Sequence, residues 1–238
     1  MSPSDLAGEI REYCTENASP EVVAKYARYF QDGYDAYGLT LEQLEAMVMT
    51  ILEEGAGFKL VLQTSRILIR SPKYEETSFA ILLTKAFEKD FTAKTFDELE
   101  FWFLFGIRNW AHCDVVSSEL IYPFLKRKLI GMDRLEEWRT ASSSYQRRAV
   151  PVSFIKPVKD SKVVEPYLSF IEPMMMDEAR EVQQGLGWFL REAWKIDPLA
   201  VEEFLLKWKD RSPRLIFQYA TEKMKAEEKK KYKREKKA

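Results

Sequence analysis

Six helix-start signals punctuate this chain, and no pair of alternating apolar segments is joined by Asn-Gly or Asp-Gly. Four places set a capping residue before proline: Ser19-Pro20, Ser71-Pro72, Asp197-Pro198 and Ser212-Pro213. The side-chain oxygen accepts from an orphan backbone N–H, and proline at the first helical position loses no hydrogen bond. Two more segments, Thr40-Leu41-Glu42-Gln43 and Thr95-Phe96-Asp97-Glu98, read as capping boxes. Gly55 and Gly131 follow apolar-periodic stretches and read as helix stops. Between these marks the apolar spacing is helical. Leu41, Leu44, Met47, Val48, Ile51 and Leu52 share one stripe, and Val201, Phe204, Leu205 and Trp208 share another.

About 11 to 13 short helices joined by short turns are expected. So many short helices favour an all-α solenoid over a four-helix bundle, because each helical pair buries its apolar face only against its neighbours. The expected fold is a right-handed α-solenoid of HEAT-like helical hairpins with a concave binding groove. It would be one domain over residues 1–225, followed by a basic helix end or solvated tail over 226–238. At 46% hydrophobic residues, the 238-residue chain can bury such a core.

Composition excludes several chemistries. No apolar run approaches the roughly 20 residues a membrane span needs, and Met1-Ser2-Pro3-Ser4-Asp5 has neither the basic nor the apolar region of a signal peptide. A cytoplasmic protein is expected. Cys14 and Cys113 form no CxxC, which argues against a disulfide framework. His112 is the sole histidine, too few ligands for a zinc site and a poor start for a catalytic triad without a GxSxG elbow. Neither GxGxxG nor GxxxxGK[ST] occurs, so no cofactor is expected. The formal charge of −1 hides a division: residues 1–119 carry 11 Lys/Arg against 20 Asp/Glu, net −9, and residues 120–238 carry 26 against 18, net +8. A polyanion would dock on the second half, although part of that charge is the run Lys229–Lys237, a solvated tail or a non-specific phosphate contact.

Three segments could carry chemistry. In Asn109-Trp110-Ala111-His112-Cys113-Asp114, Trp110 and Asp114 stand at i and i+4 on one helix face. The bland alternative is that Trp110 packs and Asp114 caps the next helix. Ser144-Tyr145-Gln146-Arg147-Arg148 sets two arginines at a helix start, fit for phosphate or simply a solvated face. Gly185-Leu186-Gly187-Trp188 puts two glycines inside a helix, each costing about 1 kcal/mol against alanine, which suggests close helix packing. Trp188 is then held at a constrained position, or is simply core.

Together these segments resemble the DNA alkylation repair family, HEAT-like-repeat glycosylases that remove 3-methyladenine and 7-methylguanine. The resemblance begins at Ser19-Pro20-Glu21, passes through Ala27-Arg28-Tyr29 to Gly38, and resumes at Trp110–Asp114 and Gln146-Arg147. It is strongest over Gln183–Glu192, followed by Asp197-Pro198. It implies a constellation of Trp110, Asp114 and Trp188 acting on the lesion, with Arg147 on the backbone phosphate, or Arg148 if the register shifts by one. Arg191 and Tyr29 are implied as further DNA contacts. It also implies duplex DNA with alkylated bases as partner, a monomer, and reading of the lesion from the backbone side without a base pocket. The chain departs from the family pattern after Gly38, where proline and basic residues give way to Leu39-Thr40-Leu41-Glu42-Gln43-Leu44. Two further readings stay open: a DNA-binding paralogue without hydrolysis, and a HEAT-type protein scaffold, which should bury both Trp110 and Trp188.

Overall fold

A computed structural model describes residues 1–31 and 33–234. The regular structure of the described residues is all helix, with no strand, as the punctuation requires. They form two compact units, the first ending at Val115 and the second opening at Val116.

The first unit runs α1 (Pro3–Glu16), α2 (Pro20–Ala27), α3 (Leu41–Glu53), α4 (Phe58–Leu68), α5 (Tyr74–Ala86), α6 (Phe96–Phe105) and α7 (Trp110–Val115). The caps at Ser19 and Thr40 form as expected, Thr40 with a full box to Gln43. Gly55 takes φ +86° and ends α3 with Gly55 N–H bonded to the Leu52 carbonyl. Two expectations shift. Ser71 caps no helix. Its hydroxyl accepts from Lys73 N–H at 3.2 Å, and α5 starts later, at Tyr74. Thr95 spends its hydroxyl on Thr92 N–H at 3.1 Å, closing a 3₁₀ turn instead of capping α6. α4 and α5 pack as a hairpin, with α1 against α4, over a core that includes Phe79, Phe96 and Trp102. Between α2 and α3 the chain lies against Ser19, whose N–H donates to the Tyr37 carbonyl at 2.9 Å. Only glycine fits at position 38, where φ is +92° and a Cβ would run into the Ser19 carbonyl.

The second unit opens with a π-helical segment, Val116–Ile121. It continues through α8 (Tyr122–Lys126), α9 (Ser144–Ser153), α10 (Ile155–Ser161), α11 (Glu165–Ile171), α12 (Arg180–Trp194), α13 (Pro198–Trp208), α14 (Arg214–Ala220) and α15 (Ala226–Lys230). The fifteen α-helices among the described residues exceed the expected number because pieces as short as α8 and α15, five residues each, carry no periodic signature. Asp197 caps α13 through Ala200 N–H at 3.0 Å. Gly131 does not end a helix. Lys128, at φ 55°, turns α8 off, and Gly131 leads into a 3₁₀ turn. Pro213 sits one residue outside α14, so Ser212 does not cap it. In the Lys-rich end, as far as Arg234, the cations Lys230, Lys231, Lys233 and Arg234 are exposed, while Tyr232 anchors the segment. Tyr232 is buried, Lys231 pairs with Glu202, and Arg234 donates to the Ser212 carbonyl at 2.8 Å. Lys236 and Lys237 lie outside the described residues.

α12 is the centre of this unit, packed on one side by α9 and on the other by α14. Its two glycines make that possible. A Cβ on Gly185 would stand 3.1 Å from Cγ of Arg148 on α9. One on Gly187 would collide with Cβ of Tyr219 and lie 2.7 Å from the Ile216 carbonyl oxygen, both on α14. Gly187→Ala is therefore expected to lose roughly 1–2 kcal/mol, overpacking against backbone outweighing the gain in helix propensity. Gly185→Ala meets Cγ of the buried Arg148 at 3.1 Å, the Arg148 carbonyl oxygen at 3.4 Å and Cγ2 of Val152 at 3.5 Å, looser contacts than those at Gly187, so it should cost less. Paired denaturant melts read the difference.

Candidate functional site

α7 is capped by Asn109, whose side-chain oxygen accepts from His112 N–H at 2.9 Å while its carbonyl accepts from Cys113 N–H at 3.2 Å. This cap fixes Trp110 at the first helical position. Trp110 is 42% exposed, its indole N–H donating to the Tyr29 carbonyl at 3.2 Å and its ring stacked on Phe30 at 5.9 Å. Asp114, one turn on, is half-buried. It lies inside the helical run that continues into the π segment, so it caps no following helix.

His112 behaves as a structural residue. The Asn109 amide donates to its Nδ1 at 2.9 Å, which leaves Nε2–H to meet the Ser78 hydroxyl at 3.0 Å, and that hydroxyl donates to the Tyr74 carbonyl. The ring stacks on Tyr74 at 4.1 Å. Burial pushes its pKa down from 6.5 to about 3, so it is uncharged at neutral pH. The unfolded chain binds this proton and the folded chain does not. Stability is therefore expected to fall as pH drops from about 6.5 towards 3, at up to ~1.4 kcal/mol per pH unit from this group. A His112→Gln variant melted from pH 7 to 5 should lose most of that slope.

Tyr29, Phe30, Tyr34, Tyr74 and Trp110 wall a cavity of about 530 Å³ inside the first unit. Phe30 stacks on Tyr34 at 4.6 Å and meets Tyr74 edge-on at 5.5 Å. Sequence reasoning singled out only Trp110 and Tyr29 of this group. The density of rings between Tyr26 and Tyr37 was the available signal. Behind the wall, buried Glu75 accepts from the N–H groups of Tyr37 (2.8 Å), Gly38 (2.7 Å) and Leu39 (3.2 Å). Burial, and then the Glu75 charge, raise the Tyr34 and Tyr74 phenols above their ordinary pKa.

Arg147, Arg148, Trp188 and Arg191 belong to the second unit, on α9 and α12. Trp188 is half-buried and shares a side of α12 with Arg191, three residues on. The arginines are not the exposed cations the sequence suggests. Arg147 grips the Asp177 carboxylate through Nε (2.6 Å) and Nη2 (3.2 Å), and donates through Nη1 to the Ala141 carbonyl at 2.7 Å. Arg148 is buried and donates to the Glu181 carbonyl at 2.8 Å. Arg191 pairs with Glu222. Beside it, burial alone would push the Glu192 carboxyl up, but bonds from Lys159 and Lys195, each 2.8 Å, hold it at about 2.

Among the described residues no group of three or more His, Cys, Asp or Glu could hold a metal ion, and no helix is long and apolar enough to cross a membrane. Both cysteines are buried and unpaired by disulfide.

A search of curated proteins finds no match. Among solved structures, the chain is similar to a protein described as "Predicted DNA alkylation repair enzyme from Enterococcus faecalis", with TM-score 0.76, 16% identity, and coverage of 88% of this chain and 98% of that one. It is also similar to AlkD2 from Streptococcus mutans, with TM-score 0.59, 19% identity, and coverage of 87% and 99%. At these identities the likeness speaks to the all-helical repeat fold. The family model described as "DNA alkylation repair enzyme" matches residues 10–224, which places Trp110, Asp114, Arg147 and Trp188 all inside the match. The chain belongs to the DNA alkylation repair enzyme family.

Proposed function

We propose that this chain is a monofunctional DNA glycosylase that hydrolyses the N-glycosidic bond of cationic alkylpurines, 3-methyladenine and 7-methylguanine, in duplex DNA. It acts as a cytoplasmic monomer without a cofactor. The observation that carries the reading is Trp110, held exposed on a capped helix with Asp114 one turn further along the same face. A scaffold would bury Trp110. Alkylation at N3 or N7 puts positive charge on the base and makes it a good leaving group. As the bond breaks, positive charge moves to the sugar. The Asp114 carboxylate stabilises that oxocarbenium-like centre and orients the attacking water. The face of Trp110 attracts the same charge, and Trp188, in the second unit, is a proposed further contact of the lesion.

The phosphate contact is the less prepared part. Arg147 and Arg148 would have to share their Asp177 and Glu181 partners with a phosphate, or exchange them for it. That engagement favours a second reading, DNA binding without hydrolysis. The deciding experiment is incubation of the purified chain with methylated duplex DNA and chromatography of the released bases. Release of 3-methyladenine or 7-methylguanine is expected. Salt-dependent DNA binding without release would leave the second reading.

A further inference from the structure

The aromatic cavity of the first unit is lined by residues of which the proposed hydrolysis uses only Trp110. Its volume, about 530 Å³, lies within the ~300–1,000 Å³ typical of small-ligand pockets. Phe30, Tyr34, Tyr74 and Trp110 offer flat π faces, and Leu39, Leu41 and Leu44 supply an apolar floor from the segment where the sequence leaves the family pattern. Among the described residues no Lys, Arg, Asp or Glu lines it. His112 in the wall is held neutral by burial. Buried Glu75, whose charge acts on the Tyr34 and Tyr74 phenols, takes its hydrogen bonds from backbone N–H groups rather than from a cation. The interior therefore welcomes a flat ring and, through the ring quadrupoles and Glu75, a positive one.

The margin has the opposite character. Lys25 Nζ lies 5.1 Å over the Tyr26 ring and Arg28 Cζ 4.9 Å over the Tyr29 ring, and both tyrosines line the cavity. Among the described residues neither cation has a carboxylate partner. Cations at the margin of an aromatic interior suit a ligand with a flat head and an anionic tail.

We propose that this cavity is a binding site for an unstacked purine nucleotide, preferring a base that carries positive charge, with the base among the rings and its phosphate at Lys25 and Arg28. The proposal rests on the proposed function only in that the chain meets alkylated nucleotides; it needs no hydrolysis. The same chemistry can arrive as a free nucleotide or as a base swung out of a DNA strand.

Calorimetric titration of the full chain with 7-methylguanosine monophosphate and with guanosine monophosphate, at mildly acidic pH where the methylated base is fully cationic, tests it. The methylated nucleotide is expected to bind about tenfold more tightly. Tyr34→Leu, which removes a face, and Leu44→Trp, which fills the floor, should each weaken it by about tenfold or more, with melting curves reporting that each variant is folded. Lys25→Ala with Arg28→Ala should weaken the nucleotide but not 7-methylguanosine. A duplex carrying 2-aminopurine opposite an abasic site separates the sources. Quenching by the chain, lost in Tyr34→Leu, assigns the site to a strand base. Nucleotide binding without quenching assigns it to the free pool. Equal affinity for both nucleotides, or binding untouched in folded Tyr34→Leu, overturns the proposal. Repeating the titration in Asp114→Asn keeps the result readable if base release fails.

Discussion

Asp114→Asn is expected to reduce release of 7-methylguanine from methylated DNA by about 10²- to 10³-fold, the scale seen when one charge-stabilising group is removed from a transition state. The substitution keeps the shape of the side chain and removes only its charge. The position is half-buried on α7, away from the Asn109 cap, and a melting curve of the variant reports whether the fold stands. DNA affinity should hold or rise slightly, because a negative group has been removed near a polyanion. Single-turnover release beside a salt titration of binding separates the two effects. A variant that keeps the wild-type rate would leave Asp114 without the assigned role. A paired loss of rate and affinity would mean that it positions DNA instead.

The largest expected effect on stability is at a buried carboxylate of the first unit, Glu75. Glu75→Ala should lose roughly 3–6 kcal/mol, since the N–H groups of Tyr37, Gly38 and Leu39 all lose their acceptor at once. That is comparable with the whole stability of many domains, about 5–15 kcal/mol. Glu75→Gln keeps one acceptor oxygen but turns an N–H group towards the other donors, so it should recover only part of the loss. Urea midpoints for the three proteins give the order. A loss below ~1 kcal/mol for the alanine variant would mean that water replaces the carboxylate and that the segment before α3 is held by other contacts.

The sequence was readable wherever the decisive contact is local. The caps at Ser19, Thr40 and Asp197 lie within three residues of the N–H they satisfy, so their spacing announces them. Ser71, Thr95 and Ser212 have the same residue types, but nearby turns decide which residue begins the helix. The glycines of α12 were legible as close packing, though not which neighbour each would admit. The site was half legible. Trp110 and Asp114 are a turn apart and share a helix. The aromatic cavity draws on residues near 30, 74 and 110, and no periodicity links those positions. Nor could spacing reveal that Asp177, thirty residues from Arg147, would take both prongs of its guanidinium.

Gly187 and Trp188 are neighbours in the chain that answer to different masters. A library randomised at both codons and sorted only for soluble, folded protein should return glycine at 187, because α14 leaves no room for a side chain there. The same sort should leave 188 open, since a half-buried ring makes the smaller demand on packing. Sorting the survivors for repair of alkylated DNA would then close 188 as well. Two adjacent columns of the same mutational map would thus record, one after the other, what the second unit needs in order to exist and what it needs in order to work.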